Sequence, residues 1–225
     1  MGKEKQARWI KAPQQGRSRA TLDRLLDAAE GMLESKSFEE LSIADLVSKA
    51  RSSIGAFYTR FSDKEALLDA LYVRHQQQAV GTFEELFEPK GWTGVPLPKV
   101  VAEWIRFAVD FHRARRGLLR TLVLRSYAKP DPAYGDVGKR ARLSVARAGD
   151  FIAHRKAEIG HPDPRLAGSL GLVMVLGALR ERILFPASTS NAVKTTETKL
   201  VSELTRAYLA YLGVQPSRGR SGRRA

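Results

Sequence analysis

Between residues 42 and 65, small hydroxyls recur at the spacing that helix ends require. Ser42 stands three residues before Asp45, and Ser62 three before Glu65, while Ser53 opens a segment whose apolar members Phe57 and Phe61 lie four apart. A hydroxyl so placed accepts from the unpaired N–H groups of a first helical turn, and a carboxylate three residues on completes the exchange. The chemistry on offer is capping and contact with anions, not bond-making. Lys64 sits where the helix after Ser62 begins with its free N–H groups, a place suited to a phosphate oxygen, and Tyr58 can reach another phosphate from the flank.

Catalysis has no comparable constellation. His75, His112, His154 and His161 fall in separate segments without the i, i+4 or His-x-x-Glu spacing of a helical metal site. There is no phosphate-binding glycine loop and no Gly-x-Ser-x-Gly elbow, and the pairs Glu39-Glu40 and Glu84-Glu85 fall on polar helix ends. No enzymatic activity, metal or cofactor is expected.

The elements that position these residues follow from periodicity. From Ser42, the apolar residues Ile43, Leu46, Val47 and Ala50 recur at three and four, which buries one face of a two-turn helix. Ala50-Arg51-Ser52-Ser53 breaks it, and Ser53 caps a second short helix. With Phe57 inward and about 100° per residue, Gly55 and Thr59 point outward with Ala56 and Tyr58 on the flanks. Ile54, about 60° from Phe57 on the same wheel, suits core and surface equally. Such a small, uncharged face lets a helix approach the major groove of a duplex, where methyls of Ala56 or Thr59 can meet thymine methyls. Specificity is expected from Arg51, Thr59, methyl contacts and DNA shape.

Over residues 20 to 72 the chain resembles the N-terminal DNA-binding domain of the TetR family of bacterial transcriptional regulators. The likeness rests on the helix Leu22 to Leu33, on Phe38 with Leu41-Ser42-Ile43, on Asp45-Leu46-Val47, and on Ser53, Gly55, Phe57-Tyr58, Phe61, Lys64-Glu65 and Leu67-Leu68. It implies an all-α homodimer in which Ser42 caps the second helix beside a phosphate. It also implies that Ser53, Ile54, Gly55, Ala56, Tyr58 and Thr59 lie in the groove, and that Tyr58 and Lys64 grip backbone. Arg51 and Ser52 depart from the family pattern, which carries a glycine and an apolar residue at these turn positions. A left-handed turn at Arg51 costs about 1 kcal/mol, so either another conformation or a compensating contact to DNA is expected there.

Charge is distributed in keeping with this reading. Of the net charge of +14 over 225 residues, residues 1–20 contribute +5 and residues 216–225 contribute +4. Residues 21–75 carry seven Lys/Arg against ten Asp/Glu, so the DNA-binding body is not itself basic. Expected boundaries are a basic, flexible arm at 1–19 with Lys11, Arg17 and Arg19 available to DNA, a helix-turn-helix domain at 20–75, a ligand-binding and dimerisation domain at 76–213, and a basic, flexible tail at 214–225. The absence of cysteine and of an apolar leader suits the cytoplasm. The longest apolar stretch, Leu170 to Leu179, ends at Arg180-Glu181-Arg182, short of the ~20 residues a membrane span needs.

In the second domain the pattern predicts helices over about 97–128, broken near Gly117, then 133–159, from Pro164 to Phe185, and 195–212. Trp104, Phe107, Phe111, Tyr127 and Phe151 are the aromatics available to line a cavity for a largely apolar small-molecule effector, and equally available as core. Arg113, Arg115, Arg116, Arg120 and Arg125 suit either an acidic ligand group or a solvated face. The helix from Leu166 is apolar on almost every side and needs cover beyond its own domain. By the resemblance, Leu170, Val173, Met174 and Gly177, with Leu204, Tyr208 and Tyr211 of the last helix, form a four-helix dimer interface. The expected protein is a ligand-responsive repressor at a pseudo-palindromic operator. A chromosome-organising DNA binder of the same fold, without an effector, is the alternative.

Overall fold

A computed structural model describes residues 16–128, 135–187 and 192–215, and all the regular structure in them is helical. Among the described residues nine α-helices run in chain order: α1 Gly16–Leu33, α2 Ile43–Lys49, α3 Ile54–Tyr58, α4 Lys64–Leu86, α5 Leu97–Ala114, α6 Arg116–Ala128, α7 Gly135–His154, α8 Pro164–Leu179 and α9 Glu197–Leu212. Short 3₁₀ turns occupy Pro89–Trp92 and Lys156–Glu158, and a π-helical turn, Arg180–Leu184, follows α8. Most of the predicted basic arm and tail, and the connection expected between the helices at 97–128 and 133–159, lie outside the described residues.

Two compact units result, and the chain enters them in an order that a single cut at residue 75 misses. The first unit comprises residues up to Ala79 together with Arg115–Tyr134, and the second comprises Val80–Ala114 and Gly135 onward. Thus α6, expected in the second domain, packs in the first. Gly117 explains this placement. A side chain there would put Cβ 2.0 Å from the carbonyl oxygen of Leu33, so only glycine lets the start of α6 sit against the end of α1. Its N–H donates to Glu34 Oε1 at 3.0 Å, while Leu118 and Leu122 on the same helix are buried. Arg125 of α6 pairs with Glu65 of α4.

The first unit buries Leu25, Leu26, Ala29 and Leu33 of α1, Leu46 and Val47 of α2, Phe57, Phe61, and Leu67, Leu68 and Leu71 of α4. Arg74 ties α4 to α1 through Asp27 at 2.6 Å and Glu30 at 2.7 Å. In the second unit, the apolar stripe of α5 (Val100, Val101, Trp104, Ile105, Ala108) joins Phe151 and Ile152 of α7, Leu172 and Val175 of α8, and Tyr208 and Leu212 of α9 in one core. Asp163 caps α8, accepting from Leu166 N at 2.9 Å, with Pro164 in the first turn, where a missing N–H costs nothing.

Candidate nucleic-acid interface

The helix-turn-helix is built from its caps inward. Ser42 Oγ accepts from Asp45 N at 3.0 Å to start α2, and Ser53 Oγ accepts from Ala56 N at 3.1 Å to start α3. The Ser42 hydroxyl first, and Lys36 at 3.4 Å second, hold the Asp45 carboxyl below its ordinary range. Between the two helices Arg51 adopts φ 48°, and it is the one non-glycine residue with positive φ among those described. Ser52 N donates to Val47 O at 2.8 Å and Arg51 N to Ser48 O at 3.1 Å. These are the paired bonds of a Schellman stop, with arginine at the left-handed position that glycine favours. The end of α9 is closed by the same pair of bonds around Gly213, φ 67°, where glycine does occupy that position. The left-handed turn therefore forms at Arg51 despite the side chain. The Arg24 guanidinium helps fix it, donating from Nε to Ala50 O at 3.2 Å.

Phe57 carries α3. It is fully buried, its ring 5.2 Å from that of Phe61 and edge-on to Tyr58 at 5.3 Å. Truncating a phenylalanine so placed costs about 3–5 kcal/mol, a large share of the hold on a five-residue helix that cannot form alone. Ile54 is 53% exposed and Tyr58 54% exposed, which resolves the ambiguity at position 54 in favour of the surface. A Cβ at Gly55 would meet nothing within 4 Å. Thr59 is exposed, but its Oγ1 donates to Gly55 O at 2.7 Å, leaving its methyl and an oxygen lone pair for any partner.

Two expectations at this site are corrected. Lys64 is not a free phosphate grip: its ammonium donates to Phe38 O at 2.8 Å, Glu39 O at 3.1 Å and Leu41 O at 3.2 Å, and lies 4.8 Å from the centre of the Phe38 ring. All three of its donors are used in holding the turn before α2. Ser62 does not cap α4, since Asp63 Oδ1 takes Ala66 N at 2.8 Å while Ser62 Oγ donates to the other oxygen of Asp63. The sequence reading also missed a reciprocal box at Ser37 and Glu40, whose N–H groups each reach the other's side chain at 2.8 and 3.3 Å. The backbone N–H of Ser37 is the main reason the Glu40 carboxyl titrates below its usual range. The Ser-x-x-Glu spacing was there to be read.

The cavity expectation fares differently from residue to residue. Trp104 and Phe151 are buried core: the Trp104 ring lies edge-on to Phe87 at 4.7 Å and to Phe151 at 4.8 Å, and Trp104 Nε1 donates to Leu86 O at 3.0 Å. Phe107 and Phe111 are half-buried with rings 5.9 Å apart, and Tyr127 is exposed in the first unit. A cleft of about 300 Å³ in the second unit is lined by Pro89, Trp92, Thr93, Gly94, Phe151, His154 and Arg155. Of the five predicted aromatics it includes Phe151 alone. The arginine cluster is dispersed: Arg113 pairs with Glu197 in the second unit, and Arg125 with Glu65 in the first.

On α8, burial is one-sided. Ala167, Gly168, Gly171, Leu172, Val175 and Leu179 face the core, whereas Leu166, Leu170, Val173 and Met174 are exposed. Gly177 has open space where its Cβ would stand. The expectation for Tyr208 is corrected. It is buried in the core of its own chain, its OH donates to Gly168 O at 2.5 Å, and its ring fills the space that a side chain at Gly171 would take. That burial raises its phenol pKa. Leu204 and Tyr211 are half-buried, Tyr211 beside the ring of His161 at 5.2 Å.

A capped helix, a tight left-handed stop and a short capped helix hung from one buried phenylalanine define a helix-turn-helix DNA-binding protein. Residues 25–71 match the model of the bacterial regulatory proteins of the tetR family, and the helix-turn-helix in them is that of the family's DNA-binding domain. The fold is shared with solved structures. A candidate TetR-family transcriptional regulator from Mesorhizobium loti MAFF303099 is 18% identical, with 88% of this chain and 98% of that one covered at a TM-score of 0.68. A bacterial regulatory protein in the tetR family from Rhodococcus RHA1 is 13% identical, covering 87% and 98% at 0.66. Salmonella enterica GusR is 22% identical, covering 86% and 95% at 0.61. At these identities the likeness is one of fold. No curated protein matches the chain. No helix among the described residues is long and apolar enough to cross a membrane.

Proposed function

We propose that this regulator is a homodimeric, site-specific repressor that leaves a pseudo-palindromic operator when a largely apolar small molecule binds its second unit. The observation that carries the DNA-binding part is α3 itself. Its inner face is anchored by Phe57, and its outer face offers Ile54, Gly55, Tyr58 and Thr59 to solvent with nothing of the protein over Gly55. Such a face admits close approach to a major groove, with Ser42, Arg51, Ser52, Ser53 and Ala56 at its margins.

Dimerisation is supported by the exposed stripe of α8. Leu166, Leu170, Val173 and Met174 recur at helical spacing on one side of a single helix, an apolar surface that a second copy covers under two-fold symmetry. Two α3 helices spaced about 34 Å apart then meet successive major grooves on one side of a duplex. The effector reading takes the cleft beside Phe151 as its place of entry. An effector acts only by binding one dimer state better than the other, the favoured state being the one with its recognition helices out of register.

Selection of bound duplexes from a random pool, repeated at two salt concentrations, tests the reading. The expected product is an inverted repeat of fixed spacing that survives the higher salt. Sequences without a motif, lost at higher salt, would instead indicate charge-driven coating of DNA. In parallel, Met174→Lys should shift the sedimenting species from dimer to monomer, and a variant that stays dimeric refutes the α8 interface.

A further inference from the structure

We propose that α3 recognises thymine, through the C5-methyl group, with Ile54 as the principal reader. The inference rests on the reading of α3 as the major-groove helix. From its N-cap to its C-cap α3 is Ser53, Ile54, Gly55, Ala56, Phe57, Tyr58 and Thr59, and none of these carries an amide, guanidinium, ammonium or carboxylate. The two-pronged side chains that distinguish guanine, adenine and cytosine by hydrogen bonding are therefore missing from the helix.

Two of the hydrogen-bonding groups near the groove face are already engaged. Thr59 donates its hydroxyl hydrogen to Gly55 O at 2.7 Å, and the Arg60 guanidinium just beyond donates to Ala56 O at 2.7 Å. At its start α3 presents an aliphatic side chain. Ile54 is 53% exposed at the start of the helix, beside a Gly55 whose missing side chain leaves open space. The bare backbone at Gly55 lets the Ile54 side chain approach a base edge without a neighbouring Cβ in the way. Of the four bases, thymine alone offers an apolar group in the major groove. A branched aliphatic side chain held bare in water on a DNA-reading helix finds its complement there and at no other base edge.

The two surfaces are matched in kind, and the contact is an apolar burial that neither salt nor charge supplies. Sequence preference should therefore persist at salt concentrations that remove the phosphate contribution. A buried methyl is worth about fourfold in affinity, or about fifteenfold where the same position changes in both half-sites.

The test uses the selected operator with each thymine replaced in turn by deoxyuridine, which removes the methyl and leaves every donor and acceptor in place. The full-length protein is titrated by fluorescence anisotropy, wild type beside Ile54→Ala. Wild type should lose about fourfold per methyl at one or two positions in each half-site. Ile54→Ala, whose exposed side chain leaves the fold unchanged on melting, should no longer distinguish thymine from uracil at one of those positions. Uracil tolerated at every position by wild type overturns the proposal, as does discrimination of equal size in Ile54→Ala. Both of those results leave the regulator reading standing. Failure to select any operator overturns that reading and this inference together.

Discussion

Replacing Lys64 by methionine keeps the length of the side chain and removes three donors at once. In the native turn the ammonium serves the carbonyls of Phe38, Glu39 and Leu41 at 2.8 to 3.2 Å, and stands over the Phe38 ring. A charged hydrogen bond contributes about 1.5–3 kcal/mol when buried. Lys64 is only half-buried and water can replace part of each bond, so the set is worth about 2–3 kcal/mol in all. For a chain of this size that lowers the melting temperature by about 5–10 °C. Lys64→Arg should fall between, because a planar guanidinium cannot converge on three carbonyls as a tetrahedral ammonium does. The assay pairs thermal melting with operator binding over a salt series, run well below the variant's melting temperature. A structural clamp lowers the melting temperature and leaves the salt slope as it was. A phosphate contact does the reverse, reducing the slope by about 0.9 per subunit. An unchanged melting temperature with a shallower slope would refute the clamp.

Two further perturbations probe other joints. Gly117→Ala must part α6 from α1, since its Cβ would fall within 2.7 Å of three backbone atoms of Leu33 and Glu34. A loss of about 1–3 kcal/mol in urea unfolding is expected, with faster amide exchange at the end of α1, and an unaltered midpoint would contradict the packing. His112 is held below its usual pKa of 6.5, mainly by burial and against a contact from its Nδ1 to Ala108 O at 2.7 Å. The unfolded chain therefore takes up this proton first as pH falls. Stability is unaffected above 6.5 and declines below it. His112→Gln should flatten that decline in melting temperature between about pH 7 and 5, and an equally steep decline in the variant would remove His112 as its source.

The legible parts of this chain were those governed by local spacing. Ser42 and Ser53 cap as their positions require, and Phe57 faces inward because it lies four residues from Phe61 on a helix with a small opposite face. Pro164 and Gly213 mark helix ends by their backbone constraints alone. What spacing could not supply was the partner of a group reaching far along the chain. Lys64 looked free because the carbonyls it serves lie 23 to 26 residues away. Likewise α6 looked like a continuation of α5, because its partner just past the end of α1, Glu34, is 83 residues from Gly117. The same limit applied to α8. Its composition signalled cover on all sides, but only the structure separated the half buried by Tyr208, Ile152 and their neighbours from the half that faces out.

Arg51 shows how a local rule can hold for the backbone and fail for the residue. The Schellman bonds from Arg51 and Ser52 close α2 just as those from Gly213 and Val214 close α9. The backbone geometry is therefore dictated by the need to satisfy the last carbonyls, and glycine is only the least costly occupant. An arginine there carries a strain of about 1 kcal/mol, and nothing in the turn requires a side chain. The same residue places an exposed guanidinium, with its donors spread in a planar fork, on the turn that leads directly into α3. Those facts together favour a role outside the fold. The strain remains in the free protein, and the guanidinium lies beside a helix, α3, that has no charged side chain of its own.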